Sequence, residues 1–149
     1  MELWQLLIRE SVRDTLARYN NAGDRLQLAD MVGCFAVDGV MHITGREPLP
    51  GRKAILTAMS GALGAPGAPT NAERRFAHHH VASTHFMSVT TERVETASYF
   101  AVHTPIGLDH WGRYRDTLVP DAEEDGDRWL FERRRITTDG FAPGSLFAR

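Results

Sequence analysis

Polar and apolar residues alternate along this chain with two different periods, and the change of period divides it in two. Over residues 3–19, Trp4, Ile8, Val12, Leu16 and Tyr19 recur at three- and four-residue intervals with Arg9, Glu10, Arg13, Asp14 and Arg18 between them. That spacing puts the apolar side chains on one side of a helix. Asn20-Asn21-Ala22-Gly23 reads as its end, because Gly and Asn accept the left-handed geometry of a helix C-terminus. Asp24 followed by Gln27 gives a capping-box pattern for a second helix, with Leu28, Met31, Val32 and Phe35 as its buried stripe. After an Asp38-Gly39 turn, Val40 to Thr44 forms a short strand, and a third helix over 52–63 turns Ile55, Ala58, Met59, Ala62 and Leu63 inward. Residues 64–75 carry Gly, Pro, Ala and Asn without periodicity: a surface loop, in the position a lid would take.

From there the pattern is β. Residues 78–90, 93–104, 110–119 and 128–138 read as four strands with short connections, which implies antiparallel meander pairing. Ala97-Ser98-Tyr99-Phe100-Ala101-Val102 is apolar or aromatic at both parities, and Trp111, Tyr114, Trp129 and Phe131 add aromatic surface. A sheet apolar on both faces covers helices on one side and a partner subunit on the other. A homodimer is therefore expected, with a trimer as the other arrangement.

Composition narrows the classes. A chain of 149 residues suits one domain spanning 1–149. Its formal charge of −2 is interspersed, with no basic stripe for phosphate contacts, so nucleic acid is not an expected partner. Cys34 is the single cysteine, which excludes an internal disulfide and fits a reducing, cytoplasmic setting; it reads as a small buried residue. Glu2, Arg9, Glu10, Arg13 and Asp14 interrupt the opening segment too often for a signal peptide or a membrane span.

Candidate chemistry concentrates in His78-His79-His80. Strand alternation places His78 and His80 on one face and His79 on the other, with Val81 and Ser83. An imidazole in a pocket exchanges protons near neutrality and needs an orienting partner, for which Asp24 is the candidate. The plainer readings are a surface or core histidine and an N-cap carboxylate at Asp24. His78 and His80 also have the spacing of strand-borne metal ligands, with His42 or His103 to complete a set, but no carboxylate or third histidine stands at a diagnostic offset. No metal and no cofactor is expected.

Tyr19 with Asp24, Phe35-Ala36-Val37-Asp38-Gly39, Gly51-Arg52-Lys53-Ala54-Ile55, His79 with Val81 and Ser83, Gly112-Arg113-Tyr114-Arg115-Asp116 and Arg128-Trp129 leading to Arg134-Arg135 follow one another in an order that resembles the SnoaL-like branch of the nuclear-transport-factor-2-like superfamily over nearly the whole chain. The resemblance implies an α+β fold, a cone-shaped α+β barrel with three N-terminal helices packed in a curved, mostly antiparallel sheet and an apolar pocket at its open end. Dehydratases and a dehydrochlorinase of that branch use an Asp at the start of the second helix with a His at the start of the long strand, and these positions fall on Asp24 and His79. A pocket tyrosine falls on Tyr19; for a second catalytic histidine, His103 is nearest in strand order. The implied function is a cofactor-independent lyase or isomerase acting on an apolar, cyclic or polyketide-like small molecule through His79 as general base. Tyr19, Tyr99, Trp111 and Arg113 are the candidate substrate-binding donors. Parity puts Trp111 and Arg113 on one strand face and Gly112, Tyr114 and Asp116 on the other, and the plainer role for Arg113 is a salt bridge to Asp116 or Glu132. The alternative function is a non-catalytic small-ligand binder or a subunit like the β subunits of ring-hydroxylating dioxygenases.

Overall fold

A computed structural model describes residues 1–65, 68, 70, 76–123 and 127–148. The lid position in residues 64–75 and the tip of the acidic 120–127 turn lie largely outside them. The elements run α1 (Leu3–Asp24), α2 (Leu28–Val32), β1 (Phe35–Ile43), β2 (Leu49–Pro50), α3 (Gly51–Leu63), β3 (His78–Val89), β4 (Val94–Thr104), β5 (Gly107–Pro120) and β6 (Trp129–Phe141).

Two boundaries differ from the sequence reading, and both bear on the site. Asn20 to Gly23 does not end the first helix; α1 continues to Asp24, and Leu26 takes the left-handed conformation (φ 60°) instead of a glycine. Gly23 stays helical, and a Cβ there would meet Met31 Sδ at 3.4 Å, an ordinary contact, so the position does not require glycine. Asp24 is thus the last residue of α1, and the N-cap of the short α2 is Gln27. The capping-box reading of Asp24 is overturned. Phe35 likewise leaves the predicted helix and opens β1, where it pairs with Phe131.

The six strands form one curved sheet in the order β2-β1-β6-β5-β4-β3. Strands β3 to β6 make the expected antiparallel meander, and β1 joins β6 in parallel. The helices pack in the concave side. Val12, Leu16 and Tyr19 of α1 meet Phe35, Phe86 and Phe131 of the sheet in a buried core. Trp4, expected on the buried stripe, is exposed, since burial on α1 begins at Val12. Of the residues α3 was to bury, only Ile55 is fully enclosed; Met59, Ala62 and Leu63 instead line a cavity. A smaller cluster of Ala77, Phe100, Val102 and Tyr114 has Phe147 packed against it, and Ala77 and Phe147 also line the cavity.

Candidate active site

That cavity of about 320 Å³ lies between the last turns of α1, α2, α3, the start of β3 and the C-terminal segment. Its lining is mostly apolar, with Leu26, Leu28, Met31, Met59, Leu63 and Phe147, and a few polar groups converge among them: Tyr19, Asn20, Asp24, Arg46 and His79. Such a concave apolar site with sparse polar groups is the form small-molecule pockets take.

Residues Tyr19, Asn20, Gly23 and Asp24 reach the pocket together because the second pair follows the first by one turn at the end of α1. Asp24 Oδ1 meets His79 Nδ1 at 2.5 Å, and Asp24 Oδ2 accepts the His79 backbone N–H at 3.0 Å. The carboxylate is not a helix cap at all; both oxygens are turned to one residue of β3. A carboxylate can only accept, so Nδ1 carries a proton, and in the neutral ring Nε2 is the nitrogen with the lone pair.

Tyr19 lies behind this pair with its ring against Phe35 and Phe131. Burial raises its phenol above the usual value, against the opposing pull of Arg134, so the hydroxyl stays a donor. The Arg134 guanidinium stands 4.3 Å from the Tyr19 ring and 3.8 Å from that of Tyr114. It is fully enclosed with Asp116, Nε to Oδ1 at 3.2 Å, and burial pushes the Asp116 carboxyl up to about 6 despite that cation.

A second Asp–His pair adjoins the first. His110 Nδ1 is 2.8 Å from Asp109 Oδ1, and the His110 ring stands edge to face with that of His79 at 6.4 Å. Burial lowers the His110 pKa, His79 adding to the effect and Asp109 opposing it. Burial alone would raise Asp109, but hydrogen bonds from Ser145 Oγ (2.6 Å), His110 and the Leu146 N–H (2.8 Å) outweigh it and hold that carboxyl low. The sequence reading named His103 instead. His103 packs against His80 on the outer face, ring centroids 4.9 Å apart. The missed signal was the register: His79 pairs with Val102 and Val102 with His110, which puts both inner histidines in one row across three strands.

Three candidate residues are corrected. Tyr99 is 60% exposed on the outer face of β4, opposite Arg113. Trp111 lies outward over Gly140, where a Cβ would come within 2.5 Å of its ring. Arg113 binds neither a ligand wall nor Asp116 or Glu132; it forks onto Asp139, with Nε 3.0 Å from both oxygens. The face of β5 toward the pocket side is the other one, with Gly112, Tyr114 and Asp116 buried. His78 and His80 also point outward, His78 against Phe76. Among the described residues no three His, Cys, Asp or Glu side chains converge to hold a metal ion, and no helix is long and apolar enough to cross a membrane.

The family model for the SnoaL-like domain matches residues 4–135. The chain belongs to the SnoaL-like domain family. No curated protein sequence matches it. Solved structures with the same fold include a Catenulispora acidiphila protein in complex with S-DNPA, with TM-score 0.74 and 24% identity over 91% of this chain and 96% of that one. A Novosphingobium aromaticivorans protein provisionally named a scytalone dehydratase gives TM-score 0.73 and 19% identity, over 92% and 87%. An NTF2-like protein with a cystatin-like fold from the same organism gives 0.71 and 18%, over 95% and 89%. This SnoaL-like protein shares with them the curled sheet around N-terminal helices.

Proposed function

We propose that this SnoaL-like protein is a cofactor-independent lyase or isomerase that removes a proton from the carbon beside a carbonyl of an apolar, cyclic small molecule, with His79 as the base. The observation that carries the reading is the 2.5 Å contact between Asp24 and His79 Nδ1 at the wall of an apolar pocket. Asp24 fixes the tautomer and stabilises the imidazolium that forms. Nε2 takes the proton, the C–H electron pair moves toward the carbonyl oxygen, and the Tyr19 hydroxyl donates to the resulting oxyanion. Return of the proton to a different carbon completes an isomerisation. Expulsion of a β-hydroxyl, protonated by the imidazolium so that water leaves, completes an elimination. His110 acts through His79, holding its ring edge to face.

The test needs no knowledge of the natural substrate. 2-Tetralone, a bicyclic ketone small enough for the pocket, is incubated in D2O and deuterium entry beside its carbonyl is followed by NMR. The wild type should accelerate exchange over His79→Ala. Equal rates in the two proteins remove His79 as the base, and tight binding of the ketone without exchange replaces the enzyme by a binding module.

A further inference from the structure

Asn20 and His79 face two spaces at once. Both line the apolar cavity, and both line an adjoining groove of about 630 Å³ between α1 and β3; no other described residue lines the two. The groove is built from both sides by small side chains, Ala17 on α1 and Ala82 and Ser83 on β3. Ser83 takes φ 52°, a left-handed conformation that is costly without glycine, and the pairing of β3 with β4 slips between Ala82 and His85. Such a bulge bends its strand locally, and with small walls facing each other the helix and the sheet edge stay apart here. Unlike the cavity, the groove carries Arg13, Asn21 and Thr84, groups that keep water.

Asn20 stands where the two spaces adjoin. It is 7% exposed, and its Oδ1 is shielded from solvent with no hydrogen-bond partner. Its neighbour Asn21 donates Nδ2 to the Ala17 carbonyl at 2.9 Å, the usual refuge of an amide on a helix; Asn20 makes no such bond. A buried amide oxygen without a donor is costly, and beside a polar groove the donor that relieves it is a water molecule.

His79 has a matching need. An apolar ligand filling the cavity keeps solvent from Nε2 on that side, while Nδ1 is committed to Asp24. An imidazolium formed there can return its proton to the ligand but cannot trade it with solvent through the cavity.

We infer that the groove is a second way for water to reach His79, and that Asn20 holds the water joining it to the reaction pocket. The N–H bond of the imidazolium breaks as an O–H bond forms on that water, the positive charge passes to the water of the groove, and the ring is left neutral. Asn20 is thus a positioning residue, touching water and not the reacting carbon. The proton step rests on the reading of His79 as a base; the water route itself does not.

Exchange of the His79 ring N–H with water, followed by NMR, reads the route directly. Quinoline, which is bicyclic and has no exchangeable hydrogen, fills the cavity; Ala62→Trp, which adds bulk to the cavity wall on α3, replaces it where quinoline does not bind. In the wild type the plug should change the exchange rate by no more than about twofold, because water still arrives through the groove. In plugged Asn20→Leu the rate should fall about tenfold, the scale of one lost hydrogen-bonded site. Ala17→Leu, at a position that lines the groove and not the cavity, should do the same. A plug that slows the wild type as much as the variants overturns the inference, and so does a plug that slows neither variant.

A reaction in D2O gives the second reading, with the bicyclic β,γ-enone octalone whose double bond lies at the ring fusion. Its conversion to the conjugated enone moves a proton from the carbon beside the carbonyl to the γ carbon. With the groove open, the imidazolium proton is replaced by deuterium before the return, and the product carries deuterium at the γ carbon. In Asn20→Leu and Ala17→Leu the product should keep the substrate's own hydrogen about tenfold more often, whatever the overall rate. Unchanged retention in both variants overturns the inference. Slowed ring exchange in the plugged variants, with no turnover by the wild type, removes His79 as the base and leaves the water route standing.

Discussion

Asp24 grips His79 twice, one carboxylate oxygen on the ring nitrogen Nδ1 and the other on the same residue's backbone N–H. The ring cannot rotate without breaking the first bond, and the strand cannot shift without breaking the second. Asp24→Asn can keep one acceptor but not both, and an amide does not stabilise an imidazolium. His79→Ala is expected to lower proton exchange on 2-tetralone by ~10²- to 10⁴-fold, with Asp24→Asn also impaired. Because Asp24 is not a helix cap, its amide variant should also lose ~1 kcal/mol of stability in urea denaturation.

The second histidine gives a pH signature. Burial holds His110 below the 6.5 of a free imidazole while Asp109 pulls it upward. In NMR titration its ring signal should reach its midpoint below that value, and Asp109→Asn should move the midpoint lower still. The linked stability has a definite sign: a depressed imidazole contributes stability that is present above pH 6.5 and lost as pH falls toward the folded-state value. A midpoint above 6.5 would contradict the buried position.

Arg134 and Asp116 form a charge pair closed off from water among Tyr19, Tyr114 and Phe131. Removing one partner strands the other, so Arg134→Met should cost ~3–5 kcal/mol at pH 7. The loss should shrink near pH 5, because burial, which raises the Asp116 carboxyl to about 6 even against Arg134, acts unopposed in the variant and the acid takes a proton. Arg134→Met with Asp116→Leu should recover most of it. Denaturation curves of the three proteins at the two pH values check all of this.

Gly112 marks the closest approach inside the sheet. A Cβ there would lie 2.0 Å from the Thr137 carbonyl oxygen and 2.8 Å from the Phe100 ring. Backbone cannot yield as a flexible side chain does, so Gly112→Ala should destabilise by more than ~2 kcal/mol and lower the thermal midpoint by several degrees.

The outer sheet face carries Tyr99 and Trp111 exposed, and Arg115 directly opposite Arg135 in register. Like charges facing across strands repel unless a carboxylate comes between them. A second copy of the chain, bringing Glu95 on the same face, would cover the aromatics and supply that charge. Sedimentation at micromolar concentration should give a dimer that Trp111→Glu converts to monomer; a monomeric wild type refutes it.

How much of this was legible in sequence follows from the range of each signal. Helix and strand periods are local, and they gave α3 and β3 to β6 within a few residues. The parity of His78, His79 and His80 placed the middle ring alone on the inner face. Capping grammar misled at Asp24, because the helix runs on through Gly23 and the chain turns only at Leu26, in the left-handed conformation. The inward face of β5 was undetermined because aromatic and charged residues occur at both parities there. Asp109 escaped notice because its partners, Ser145 and Leu146, lie in a C-terminal segment without periodicity.

The strand that bears His79 is the sheet's outer edge, where backbone N–H groups have no neighbouring strand to bond. Asp24 satisfies one of them. The carboxylate therefore answers to two demands, sealing a sheet margin and orienting a ring, and only the second concerns chemistry. On the proposed reading of His79 as a base, a descendant that lost the reaction and kept its pocket would still be held to an acceptor at position 24, whereas position 79 could drift to any residue with a backbone amide. Between two divergent copies of this fold, it is the imidazole and not the acid that records whether a reaction is still performed.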